Sequence, residues 1–264
     1  MIHLICATSK EAKPLIDLYR LKKDRESDQF QIFRNENKSL TISKIGKIYS
    51  AMSVTYTYNR FGANKNQVWI NFGLAGHKTF RIGELFYVDK IIDNDTGIQN
   101  FPYVHESVNL KMNTCRTFSK PNKYLDNNLS DMECSGFFDA ANFFSSKELI
   151  HSLKIISDNK INSIDFNDGK LIYDIINKKI NLISGFIEEI ESLWNEFFSQ
   201  KQIVDQKIKE VVERLNASFY EKNIISKLAK KYFYKFNRLD VEIFDYSKNT
   251  TQNIEILKRK INEI

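Results

Sequence analysis

Proline occurs three times in 264 residues, glycine nine times and cysteine three times. So few chain breakers argue against a fold of many tight turns and for long helices. Cys6, Cys115 and Cys134 sit in separate contexts with no paired spacing. That spacing excludes a disulfide framework or a cysteine zinc site and leaves buried, reduced thiols. Histidine is scarce too. His3, His105 and His151 are scattered without ligand spacing, so no metal is expected, whereas His77 stands in a glycine-containing segment where it could touch a ligand. No apolar run approaches the roughly 18 residues that span a membrane. The opening Met1–Cys6 has no basic region before its apolar residues, so no secretion signal is read there and a cytoplasmic location is expected.

What is present is the composition of an ordinary globular protein, 42% apolar and 27% charged, with a net charge of +6. The charge is uneven. Residues 200–264 hold 14 basic and 9 acidic side chains, a net +5. A basic segment with Lys227, Lys230, Lys231, Lys235 and Arg238 beside Tyr232, Phe233, Tyr234 and Phe236 suits a nucleic-acid surface. It equally suits a solvated lysine-rich helix face whose aromatics pack on a core or a second subunit, and that reading is preferred.

The N-terminal part alternates strand and helix patterns. Strands are expected at Ile2–Cys6, Gln29–Arg34, Leu40–Lys44, Gln67–Asn71, Glu84–Val88 and Leu153–Ile156. Helices are expected at Ser9–Tyr19, Ile48–Phe61 and Met132–Phe144, with F-G-L-A-G (Phe72–Gly76) as a loop. The alternation implies an α/β layered domain with a largely parallel sheet. From about Asp168 the apolar spacing turns helical, giving one long helix from Ile172 to Phe197, then runs at Ile203–Phe219, Ile224–Phe236 and Ile254–Ile264. The expected division is a domain over residues 1–198 and a basic helical extension over 199–264.

Ligands of α/β sheets gather beyond the carboxyl ends of the strands. Three acids fall there: Glu11 in the first turn of the first helix, Glu133 at the start of D-M-E-C-S-G, and Asp158 directly after K-I-I-S. Each alone could simply serve a helix start by capping amides and complementing the dipole.

Together with their surroundings they resemble the purine nucleoside phosphorylase superfamily, most closely its 5′-methylthioadenosine/S-adenosylhomocysteine nucleosidase branch. L-I-C-A-T-S-K-E-A-K-P-L is similar to that family's opening strand, turn and glutamate. S-K-I-G-K (Ser43–Lys47) resembles S-G-I-G-K, and W-I-N-F-G-L-A-G-H (Trp69–His77) resembles I-N-T-G-S-A-G-G. D-M-E-C (Asp131–Cys134) resembles E-M-E-A, and K-I-I-S-D (Lys154–Asp158) resembles R-x-I-S-D. The match spans roughly Met1 to Phe198.

The resemblance implies a three-layer α/β domain with a mixed twisted sheet flanked by helices, and cleavage of a purine nucleoside's N-glycosidic bond without a cofactor. It makes Asp158 the general acid at purine N7 and Glu11 the base for water. Glu133 and Met132 would hold the ribose, and Ser157 would orient Asp158. Ile45, Gly73, Leu74 and Ala75 would line the substrate, and Phe118 would stack on the base. Leu74 stands where the family has a serine, and Lys154 where it has an arginine. Only Lys10 accompanies the first turn as a phosphate ligand, which favours hydrolysis over phosphorolysis. A phosphate-dependent phosphorylase and a weakly catalytic nucleoside sensor remain alternatives. The family also implies a homodimer.

Overall fold

The computed structural model describes residues 1–61, 67–106, 108–121, 126–236, 238–239 and 241–262, without the side chains at 197 and 200–202. The expected helix residue Ile264 lies outside them. The first half of the chain runs β1 (Ile2–Cys6), α1 (Ser9–Leu18), β2 (Lys22–Lys23), β3 (Gln31–Arg34), β4 (Lys38–Ile42), α2 (Lys47–Phe61), β5 (Val68–Gly76), β6 (Leu85–Asp93) and β7 (Gln99–Asn100). It continues as β8 (Met112–Thr117), β9 (Leu129–Asp131), α3 (Cys134–Phe144), β10 (Ile150–Asp158), α4 (Gly169–Asn177), α5 (Ile180–Arg214), α6 (Phe219–Phe236) and α7 (Thr250–Asn262). It divides into two units, Met1–Ser192 and Leu193–Ile264.

β1 is buried along its whole length, as a largely apolar central strand should be, His3 included. It pairs in parallel with β4 and β5, and β5 in turn with β10. The rest corrects the largely parallel expectation. β3 runs antiparallel to β4, β10 to β6, and β5 to β9. Since β6, β8 and β9 are parallel neighbours, the strands β5, β10, β6, β8 and β9 close on themselves. The F-G-L-A-G segment is no loop: β5 continues through Gly76, matched against Leu153–Asp158 of β10. Its Gly73 lets Glu11 and Lys154 approach the strand closely.

α2 packs on α3, and Val54, Phe137, Phe138 and Ala141 from this pair cover Trp69, Phe86, Val88 and Ile156 of the sheet. Burying side chains of this size contributes about 1.5–3 kcal/mol each. α1 packs on α4. The single long helix expected after Asp168 is two, α4 and α5, and the second runs on through Arg214. Asp168 caps α4 by accepting from the Lys170 and Leu171 amides. The break follows Lys178, whose amide and that of Lys179 close on Asp174 and Ile176.

The Leu193–Ile264 unit has its own apolar core, including Val211, Ile225, Ala229, Tyr232, Leu257 and Ile261. Among the described residues no helix is long and apolar enough to cross a membrane.

Candidate active site

β1 ends at Cys6, and Thr8 caps the following helix. Thr8 Oγ1 accepts from the Glu11 amide while Glu11 Oε2 takes the Thr8 amide at 2.8 Å and its hydroxyl at 2.7 Å. This reciprocal cap satisfies helix-end donors and fixes one carboxylate oxygen. The other, Oε1, accepts the Leu74 amide of β5 at 2.9 Å. Glu11 is therefore buried and held by two elements. Gly73 makes this possible: a Cβ there would lie 3.1 Å from Glu11 Oε1 and 3.7 Å from Lys154 Nζ.

Glu133 precedes α3 at the end of β9. Its Oε1 accepts the Gly46 amide at 2.9 Å, linking it to the start of α2. Burial first, and then the neighbouring Asp131, push its carboxyl up to about 7, against the pull of Lys154 and the Gly46 amide. Asp158 closes β10. Burial raises it above the ordinary carboxylate range, and the Ser157 hydroxyl donates to its Oδ1.

These three acids, from α1, the β9–α3 junction and β10, line one cavity of about 640 Å³. Its wall also holds Ile45, Leu74, Ala75, Phe118, Met132 and Ser157. Of the residues singled out in the sequence, Gly73 lies behind the wall rather than in it. His77 is a correction of another kind. Its Nδ1 accepts the Thr79 and Phe80 amides, Nε2 meets Asn127 O at 2.9 Å, and its ring stacks on Phe80. Both nitrogens serve backbone groups, so it holds the turn after β5.

Five wall residues from three segments carry no role in the sequence reading. Asp131 lines the cavity and pairs with buried Lys154 at 2.7 Å. Phe166 and Asn167 approach from the loop after β10, tied down by Lys10, whose ammonium donates to both carbonyls. Lys120 and Pro121 complete the side next to Phe118. Asp131 sits inside the D-M-E motif, the one available signal. The loop residues carry no pattern at all.

Cys115, Asp131 and Cys134 also cluster with their ligand atoms within 4.8 Å of one another. The Lys154 ammonium already occupies the carboxylate of that group, as the ion pair shows, so the cluster carries its own cation.

Solved structures share the fold of this chain. The 5′-methylthioadenosine nucleosidase of Arabidopsis thaliana superposes with a TM-score of 0.61 at 15% identity, over 72% of this chain and 95% of that one. The fold is that of the nucleosidases. The 5′-methylthioadenosine/S-adenosylhomocysteine nucleosidase of Campylobacter jejuni gives a TM-score of 0.56 at 19% identity, over 71% of this chain and 98% of that one. In sequence, the chain is 30% identical over 106 residues to the aminodeoxyfutalosine nucleosidase of Campylobacter jejuni. That match takes in 38% of this chain and spans 45% of the relative's length. No family model matches the chain.

Proposed function

We propose that the nucleosidase-fold unit hydrolyses the N-glycosidic bond of a purine nucleoside. The observation that carries this reading is the convergence of Glu11, Glu133 and Asp158 on one cavity. Glycosidic cleavage develops positive charge on the sugar and negative charge on the departing base. Carboxylates around the cavity suit the first. Asp158, raised by burial, suits the second by holding a proton for N7 at higher pH than a solvated aspartate would. Glu11, fixed by Thr8 and Leu74, takes the proton of the attacking water. Glu133 accepts hydrogen bonds from the ribose hydroxyls beside Met132, while Phe118 flanks the base.

Water is favoured over phosphate as nucleophile. Among the described residues no arginine lines the cavity, and the Lys10 ammonium is engaged by the Phe166 and Asn167 carbonyls. A phosphate there would also face Glu11. The test is base release from a panel of purine nucleosides, with and without phosphate. The panel includes the methylthioadenosine, adenosylhomocysteine and aminodeoxyfutalosine named for the similar proteins. Phosphate-independent release supports the reading, whereas release that requires phosphate moves the chain to phosphorolysis. Stabilisation by a nucleoside without turnover leaves a sensor.

Gly73→Ala is expected to lower kcat roughly tenfold with little change in thermal unfolding. The new Cβ presses on Glu11 Oε1, a side chain that can give way, rather than on backbone. Steady-state kinetics and a melting curve on the same sample check it. An unchanged kcat removes Glu11 placement from the mechanism.

A homodimer is part of the same proposal. Ile48, Tyr49 and Met52 are spaced as one apolar stripe along the start of α2, Ile45 stands just before that helix, and all four are exposed, Ile48 at 70%. Ile45 also lines the cavity, so a second copy seated on this stripe would adjoin the substrate. Light scattering is expected to give twice the chain mass and Met52→Glu to halve it. A wild-type particle of single-chain mass refutes the dimer.

A further inference from the structure

The most deeply buried ammonium among the described residues is that of Lys154, 1% exposed. It lies on β10 opposite Gly73 of β5, behind the wall of the cavity. On one side its Nζ meets Asp131 Oδ2 at 2.7 Å, the two side chains 1% and 0% exposed. On the other, it and Glu11 Oε1 stand 3.7 and 3.1 Å from the same point above Gly73. Asp131 is saturated besides, accepting the Thr117 hydroxyl and the Cys134 and Glu133 amides. A buried ion pair is a poor way to gain stability, since desolvation consumes most of the attraction and an apolar pair often does as well. Here the pair lies behind a cavity whose wall holds the carboxylates of Glu11, Glu133 and Asp158.

We propose that Lys154 is a positioning residue that acts through charge, keeping Glu133 ionised as an acceptor for the ribose while holding Asp131 in place. The proposal rests on the nucleosidase reading and adds a residue to it. A protonated carboxyl gives up part of its accepting capacity to an O–H, so the ribose grip depends on this charge state. The groups facing Glu133 are few. Asp131 on β9 and Glu11 on α1 oppose its ionisation, and Asp158 on β10 shares its cavity. The Gly46 amide before α2 and Lys154 on β10 favour it. Cys115 on β8, next to Lys154, is held as a neutral thiol by burial, and Cys134 begins α3. Lys154 is the one cation in this set. Asp131 in turn helps keep Lys154 charged: burial alone would lower its ammonium, and the Asp131 carboxylate beside it holds it above the usual lysine range.

Two variants break the same ion pair and separate charge from structure. In Lys154→Met the acidic limb of kcat/KM against pH is expected to move up by about one pH unit, costing roughly tenfold in rate on that limb. In Asp131→Asn it is expected to move down, because the repelling charge is gone and the ammonium remains. Lys154→Arg should return the limb to its wild-type position. Displacement of both variants in the same direction, or of neither, overturns the proposal and leaves a structural pair.

A readout free of turnover is the infrared band of a protonated carboxyl that disappears in Glu133→Gln. In the wild type it should titrate near 7, and in Lys154→Met higher. Should either variant fail to fold, the wild-type band decides alone: persistence well above about pH 8 means Lys154 does not keep Glu133 ionised. If the wild type releases no base, the nucleosidase reading falls, while this titration still tests Lys154.

Discussion

Asp158→Asn is expected to slow base release by about 10²- to 10⁴-fold while nucleoside binding changes little. The substitution keeps the shape, and the amide oxygen can still accept from the Ser157 hydroxyl that now donates to Asp158 Oδ1. What it removes is the transferable proton. Asp158 stands at the mouth-side end of β10, where burial raises its carboxyl. Ser157, by bonding to the charged form, pulls the other way, and burial prevails. Activity then depends both on an ionised Glu133, pushed up to about 7, and on an Asp158 that still holds its proton. A bell-shaped profile of kcat/KM should result, and Asp158→Asn should remove its basic limb together with most of the rate. Glu11→Gln gives a comparable loss, because the amide keeps the Leu74 contact but cannot take a proton from water. Single-turnover measurements of adenine release check both. Near wild-type rates in Asp158→Asn would mean that the base leaves unprotonated or is protonated from solvent, and the acid role would be withdrawn.

How much of this site is legible in the sequence depends on how local each signal is. Glu11 is legible because strand, turn and capped helix follow within about ten residues, and the pair Thr8 and Glu11 is itself a helix-start pattern. Asp158 is legible because the apolar pair Ile155–Ile156 near the end of β10 runs directly into the polar Ser157 and Asp158. The Asp131–Lys154 pair is not, since it joins strands whose pairing is set by distant segments. β9 has three residues and β8 reads as half-polar, so neither shows the alternation that identifies a strand. F-G-L-A-G reads as a loop for a related reason. Glycines usually mark turns, but here Gly73 leaves room for a carboxylate and an ammonium beside a continuing strand. The division between α4 and α5 contains neither Gly nor Pro, so local sequence does not announce it.

Gly136→Ala is expected to destabilise the Met1–Ser192 unit by about 3 kcal/mol, although helix propensity alone predicts a gain of up to about 1 kcal/mol. Gly136 lies in the first turn of α3. A Cβ there would stand 2.0 Å from the Lys47 carbonyl oxygen and 2.6 Å from its carbon, atoms of backbone that cannot rotate aside. α2 and α3 must therefore separate at their starts. Three things meet at this contact. Gly46, at φ +112°, turns the chain into α2 and presents its amide to Glu133. Lys47 binds Asp93 at 2.8 Å and Asp95 at 2.7 Å. Ser135, the neighbour of Gly136, donates to the same Asp93. Moving Lys47 thus strains the Asp93 hub and draws the Gly46 amide off Glu133, so KM should rise along with the loss of stability. Gly185→Ala is the matched control: it is a helix-interior glycine at which an added Cβ would meet nothing within 4 Å, and it should stabilise by about 0.5–1 kcal/mol. Thermal unfolding of the two variants beside wild type decides the point. Opposite signs place the close α2–α3 contact at the base of Glu133 geometry; a neutral Gly136→Ala means the two helix starts can part without cost, and the Gly46 amide then has no fixed position from which to orient Glu133.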